Sequence, residues 1–183
     1  MKILKILMVI VSALVLVFCF LFYYYGGFKT INFFISENGG EMVAYQEYIG
    51  DYKETGNVMS SVSKLLEKAQ ITSTSGFGTY FDDPKKVDPA KLRSEIGFII
   101  DKKDSTSVSN KIPMLKIKTL PFGKYIATTF PFKGIPSIFI GIMKVYPALG
   151  KYIKDNKLNE NGPITEIYNE QNHTITYRKQ IEE

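Results

Sequence analysis

Apolar and polar positions divide the chain into one unbroken apolar run followed by two passages through a similar order of patterns. From Ile6 to Phe28 no residue is charged. The run ILMVIVSALVLVFCFLFYYY is long enough, as a helix, to cross a hydrocarbon core of roughly 30 Å. KTINFFIS and EMVAYQEYIGDY then carry the β-branched and aromatic content of strands. In YKETGNVMSSVSKLLEKAQ, Val58, Val62, Leu65, Leu66 and Ala69 recur at helical spacing and predict an amphipathic helix. SGFGTYF and RSEIGFII follow as two strands.

The polar segment DKKDSTSVSNK, Asp101 to Lys111, reads as a linker or long turn. Beyond it the order repeats. MLKIKTLPFGKYIATTF is extended, with a Pro-Phe-Gly break. IPSIFIGIMKVYPALGKYIKDN predicts a helix with Ile138, Ile142, Val145, Leu149 and Tyr152 on one side, kinked or divided at Pro147. ITEIYNE and TITYRKQI close the chain as strands. The predicted class is therefore α+β: duplicated β-α-β-β units giving a mainly antiparallel sheet and two amphipathic helices, behind one N-terminal transmembrane helix. The corresponding boundaries are an anchor at 1–27 and a domain at 28–183, whose halves run from about 28–104 and 111–183. With both helices on one face, the other face of each half is left free, and a concave sheet face between the halves is a natural ligand cleft.

Flanking residues decide how the apolar run is read. A cleaved secretory signal also begins basic and turns apolar, but its apolar region is usually about 7–15 residues and ends in small residues. Here the run is longer and ends in Tyr23, Tyr24 and Tyr25, which suit an interfacial belt. It reads as a single-pass anchor in the cell membrane, meeting the lipid bilayer through residues 3–25. Lys2 and Lys5 precede it, while Lys29, Glu37 and Glu41 follow. That asymmetry places the N-terminus in the cytoplasm and the domain on the extracytoplasmic side. Cys19 lies inside the run, so the rest of the chain forms no internal disulfide, which is compatible with a bacterial extracytoplasmic setting.

Charge changes the picture in one stretch. Lys111 to Lys157 holds nine lysines and one acid, Asp155. It reads either as a solvated surface or as a face attracted to anionic lipid headgroups or to a protein partner at the membrane. Nucleic acid is not an expected partner: Arg93 and Arg178 are the only arginines and no nucleic-acid-binding motif is present.

TYFDDPKKVDPAKLRSEIG, with its Tyr, acidic turn, Pro, basic residues and Glu-x-Gly, is similar to the middle of the GyrI-like small-molecule-binding domain, also known as the effector-binding domain of bacterial transcription activators. ITEIYNE resembles the family's E-x-Y strand, and the resemblance covers roughly Phe28 to the C-terminus. It implies a SOUL-like fold and binding of a small apolar or cationic ligand without catalysis. The family also includes some small-molecule hydrolases, and a similar domain occurs behind an N-terminal anchor in a eukaryotic receptor of the endoplasmic reticulum. This chain departs from the regulators in having no helix-turn-helix, and it has no Trp.

The resemblance places the family's pocket glutamate at Glu166. Strand alternation sets Glu166 and Tyr168 on one face and Ile167 on the other. The expectation is that Ile167 packs under the helices and Glu166 faces the cleft. Tyr80 and Asp82 likewise share a face, opposite Phe81. A carboxylate in an aromatic cleft requires a partner. A lipophilic cation would supply charge, and Tyr45, Tyr80 and Tyr168 would add cation–π attraction. A Lys or Arg of this chain, or water, would equally satisfy it. The candidate ligand-binding residues are thus Glu166, Tyr168, Tyr80, Tyr45 and Asp82.

Other chemistry finds no support. Asp82-Asp83-Pro84 and Asp88-Pro89 read as turns, and their spacing does not match a calcium loop. SVSK, Ser61 to Lys64, matches one penicillin-recognition motif but lacks its companions, and falls on exposed helix positions. His173 is the single histidine, which excludes a His-rich metal site. No catalytic residue, metal ligand or cofactor is assigned. If hydrolase chemistry applied, Glu166 would be the general base.

Overall fold

The computed structural model describes residues 2–159 and 161–181. Helix α1 (Lys2–Tyr24) has no buried residue and is about 34 Å long at 1.5 Å per residue. By length and composition it suits a membrane span, and a signal sequence near an N-terminus would meet the same test. The remaining elements are β1 (Phe34–Asn38), β2 (Met42–Ile49), α2 (Thr55–Lys68), β3 (Ser73–Tyr80), β4 (Arg93–Ile100), α3 (Ser105–Lys111), β5 (Lys116–Thr119), β6 (Gly123–Pro131), α4 (Ile135–Asp155), β7 (Ile164–Asn169) and β8 (Thr174–Gln180). The segment expected to be a linker is instead a 3-10 turn followed by α3. Val108 and Ile112 are the reason: both are buried against Val62 and Leu66 of α2, so a short apolar stripe holds this polar stretch down.

The eight strands form one antiparallel sheet in the order β1-β6-β8-β7-β3-β4-β2-β5. Each β-α-β-β unit is recognisable, as β2-α2-β3-β4 and β6-α4-β7-β8, joined at β3 and β7. The outer strands are exchanged between the units: β1 pairs with β6, and β5 with β2. The register puts Ala44, Phe98, Gly78, Glu166, Tyr177 and Thr128 on one face, which both long helices cover.

On α2 the buried positions are Thr55, Val62 and Leu66. Ser61 is exposed and its hydroxyl donates to the Asn57 carbonyl. On α4 the buried row is Ser137, Gly141, Val145, Leu149 and Ile153, while Ile142 is exposed, so the inward face is rotated from the expected one. Gly141 explains the rotation: a Cβ there would lie 2.4 Å from the Tyr177 hydroxyl, so the helix approaches β8 on its smallest residue. The helix is not divided at Pro147. That residue is on the exposed side, where the carbonyl that loses its partner meets solvent.

Exchanging the outer strands requires the β1–β2 and β5–β6 connections to cross on the face without helices. Gly40 N–H donates to the Leu120 carbonyl at 2.9 Å, and Leu120 N–H to the Glu41 carbonyl at 2.8 Å. Gly39 has a φ of +101°, and a Cβ there would fall 1.8 Å from the Pro121 carbonyl oxygen. Beneath the crossing, Arg178 is 2% exposed and donates to both carboxylate oxygens of Glu41, at 2.7 and 2.8 Å. Burial alone would raise the Glu41 pKa, but the Arg178 bonds and charge hold it below its ordinary value. Val43, Tyr45, Phe77 and Leu120 pack here, with Ile99 and Ile167 against them. The face expected to be free is therefore closed over its centre.

Replacing Gly39 with Ala adds both a clash and an unfavourable φ. Gly40, at φ +86° but with no neighbour nearer than 4.0 Å, acquires only the φ penalty. Urea unfolding of the detergent-solubilised protein should show Gly39→Ala losing about 2 kcal/mol or more, and Gly40→Ala distinctly less. Equal losses would mean that the crossing is not tightly packed.

Candidate functional site

On the helix-covered face, Met59 of α2 and Tyr146 of α4 pack against one cluster over the central strands, where the two helices adjoin. Glu166 lies beneath it, in β7, 1% exposed. Its β3 neighbour is Gly78, which offers no side chain, and the Tyr80 ring folds over that glycine: a Cβ on Gly78 would lie 2.9 Å from the Tyr80 hydroxyl. Gly76 plays the same part for α2, with the Met59 sulfur 3.2 Å from where its Cβ would be. The pair of glycines in SGFG thus makes room for large side chains over the middle of the sheet.

Tyr146 of α4 donates its hydroxyl to Glu166 Oε1 at 2.6 Å, and Tyr168 donates to Oε2 at 2.5 Å. Tyr177 of β8 is paired in register with Glu166, and its ring meets that of Tyr146 edge-on at 6.2 Å. Its buried hydroxyl makes no hydrogen bond. Phe132 flanks Tyr168 at 5.9 Å and Tyr52 flanks Tyr80 at 4.9 Å. Among the described residues no lysine or arginine pairs with the carboxylate.

Burial therefore dominates the electrostatics. It pushes the Glu166 carboxyl up, and the two tyrosine hydrogen bonds return part of the shift. Tyr80, Tyr146, Tyr168 and Tyr177 are all raised too, first by burial and next by the nearby Glu166 charge. Such a cluster can accept a cation, retain a proton, or donate hydrogen bonds from a set of hydroxyls that burial keeps protonated. No group of three or more His, Cys, Asp or Glu side chains converges among the described residues.

The structure brings Glu166, Tyr168 and Tyr80 together and separates the other two candidates from them. Glu166 and Ile167 occupy the faces opposite to those expected: Glu166 lies under the helices, and Ile167 packs against the Val43–Phe77 cluster. β7 is an inner strand buried on both sides, so apolar character did not identify its helix-facing side. Tyr45 is on the far face, edge-on to Phe77 at 6.4 Å with the Lys118 ammonium 4.9 Å from its ring centre. Asp82 lies beyond the end of β3, where it accepts from Arg93 Nε at 3.0 Å, Nη2 at 2.8 Å and the Arg93 backbone N–H at 2.8 Å. It closes the β3–β4 loop, within which Asp83 accepts from Lys85 N–H and Asp88 from Ala90 N–H. Tyr146 and Tyr177 were not anticipated. The alternation in TITYRK places Tyr177 with Ile175, and that was a usable signal. Nothing local marked Tyr146, whose position depends on how close α4 sits at Gly141.

A family model described as the GyrI-like small molecule binding domain matches residues 35–180. Human Testis-expressed protein 264 is 31% identical over 134 residues, which cover 70% of this chain and 41% of that protein. Its mouse homologue is 29% identical over the same length. The chain thus spans about two-fifths of the length of these curated relatives, and their mammalian origin lends no support to a bacterial setting. Among solved structures, the EcmrR C-terminal domain superposes with a TM-score of 0.60 at 14% identity, covering 84% of this chain and 98% of that one. An integron cassette protein from Vibrio cholerae gives 0.56 at 13%, covering 82% and 95%. At these identities the likeness is one of fold.

The raised carboxyl has a signature in stability. The unfolded chain releases the Glu166 proton near the ordinary value of 4.5, while the folded chain holds it to higher pH. Its contribution is therefore complete below 4.5 and declines as pH rises towards the folded-state pKa. Glu41 and Asp82, both lowered, act in the opposite direction but are common to wild type and variant. The melting temperature of Glu166→Gln minus that of wild type should increase from pH 4.5 to pH 8. A difference that stays flat would mean that burial does not raise this group.

Proposed function

Because the chain belongs to the GyrI-like small molecule binding domain family, we propose that it is a membrane-anchored receptor that holds a small lipophilic cation at Glu166, without transforming it. The observation that carries this reading is a carboxylate sealed among aromatic rings with no cation beside it among the described residues. The Tyr146 and Tyr168 hydroxyls compensate part of the burial. A ligand would enter where α2 and α4 adjoin, displacing the Tyr146 ring and the flexible Met59 side chain. Its charge would then replace the missing counter-ion and its apolar body would lie on the Tyr80, Tyr168 and Tyr177 rings. The unpartnered Tyr177 hydroxyl offers a hydrogen bond to a polar substituent.

Binding and proton release are coupled in this scheme. A group held protonated by burial loses its proton when a cation arrives, so affinity should rise with pH until the empty site ionises by itself. The full-length protein in detergent should be stabilised by members of a panel of lipophilic cations, and not by neutral aromatics of equal size. A ligand at a hundred times its dissociation constant adds about 2.7 kcal/mol. The stabilisation should vanish in Glu166→Gln and persist in Asp82→Asn. Stabilisation equal in Glu166→Gln, or absent with every cation, would defeat the reading and redirect attention to a protein partner for the lysine-rich stretch.

A further inference from the structure

The end of α1 is not joined to the domain by a free linker. Gly26 and Gly27 are buried, and a Cβ on Gly26 would lie 2.9 Å from the Phe130 ring. The boundary expected at residue 27 thus falls inside a packed turn. Lys144 of α4 donates its ammonium to the Gly27 carbonyl, and the Lys133 ammonium lies 4.2 Å from the centre of the Tyr24 ring. Phe18, Leu21 and Phe22 of α1, and Tyr25 just past its end, line one apolar groove together with Pro136 and Ile140 of α4. The N-terminal half of α4 therefore runs beside the last two turns of α1.

This half of α4 has an outer face that none of the described residues covers. Ile135 is 68% exposed, Phe139 61%, Ile142 40% and Met143 75%. Further along the helix the exposed positions include Lys154 and Lys151, the latter paired with Asp155. Phe18 to Tyr24 spans about 10 Å of helix, the same order as the depth to which an interfacial helix sinks its apolar face. Residues fixed beside that segment share its depth wherever α1 lies in a bilayer. Apolar residues at this level, succeeded by exposed ammonium groups, match the passage from acyl chains to anionic headgroups.

We propose that the outer face of the N-terminal half of α4 is inserted in the interfacial layer of the bilayer that α1 crosses, so that the domain lies against the membrane. This rests on reading α1 as a span. The helix that carries Tyr146 is then a lipid-contacting element, with Lys151 and Lys154 at the headgroups.

The chain has no Trp, so single reporters can be introduced at exposed positions. Three full-length variants are reconstituted in vesicles of phosphatidylcholine and phosphatidylserine, with and without brominated acyl chains. Phe139→Trp reports on α4, Leu14→Trp on the middle of α1, and Phe122→Trp on the opposite sheet face. All three native side chains are exposed, so none of these changes disturbs the core. Brominated chains should quench the α4 and α1 reporters by about twofold or more and leave the Phe122→Trp reporter unchanged. Quenching of Leu14→Trp without Phe139→Trp overturns the proposal and leaves the span intact. If Leu14→Trp is not quenched, the span reading fails and the proposal with it. Equal quenching of all three would show that no particular face meets the lipid, which also overturns it.

Discussion

An ionisable group taken out of water without a counter-charge must be compensated by what surrounds it, and the centre of this domain is arranged around that requirement. Glu166 is accommodated through hydroxyl donors, and those donors are tyrosines, whose rings need space over the sheet. The space comes from Gly76 and Gly78 on β3, and the close approach of α4 comes from Gly141. Three glycines and four tyrosines therefore form one construction, in which the small residues determine where the large ones reach. Replacing the carboxylate by a hydrocarbon would relieve burial and leave the Tyr146 and Tyr168 hydroxyls without acceptors, so neither part can change alone.

The elements themselves were legible in the sequence because each carries its own period. α2, β4, β7 and β8 begin and end close to where apolar spacing and turn residues place them. Which face a strand turns towards the helices was not legible for β7. A strand covered on both sides shows apolar residues on both, and only the pairing of β7 with β3 and β8 decides the matter. Thus the resemblance identified Glu166 as the residue of interest, whereas its neighbours had to come from the register and from α4. Tyr45 and Asp82 lie apart from Glu166 for different reasons. Tyr45 follows the alternation of β2 to the other face, and Asp82 lies past the end of β3, where alternation no longer applies.

The two faces of the sheet are specialised. On one, helices cover a tyrosine-lined carboxylate that has no cationic partner among the described residues. On the other, crossing connections cover a carboxylate that is fully paired, with Arg178 supplying both charge and two hydrogen bonds to Glu41. The paired group has a lowered pKa and the unpaired one a raised pKa, from burial acting on both. The same residue type is thus ion-paired on one side and held by hydroxyl donors on the other.

The exchanged outer strands govern the order in which the chain can be assembled. β1 has no partner until β6 exists, since Phe34 pairs with Ala127. At ribosomal rates of about 5–20 residues per second, the first strand waits roughly 5–20 s for its neighbour. During that interval the first unit also lacks its own outer strand, β5, and presents an open edge. Because β1 pairs on the second unit and the two units are joined through β3 and β7, the duplicated pattern does not divide into two separate sheets. With its earliest segment committed to the latest-made half, the nascent domain has to be kept from pairing wrongly until its last hairpin, β7–β8, is complete.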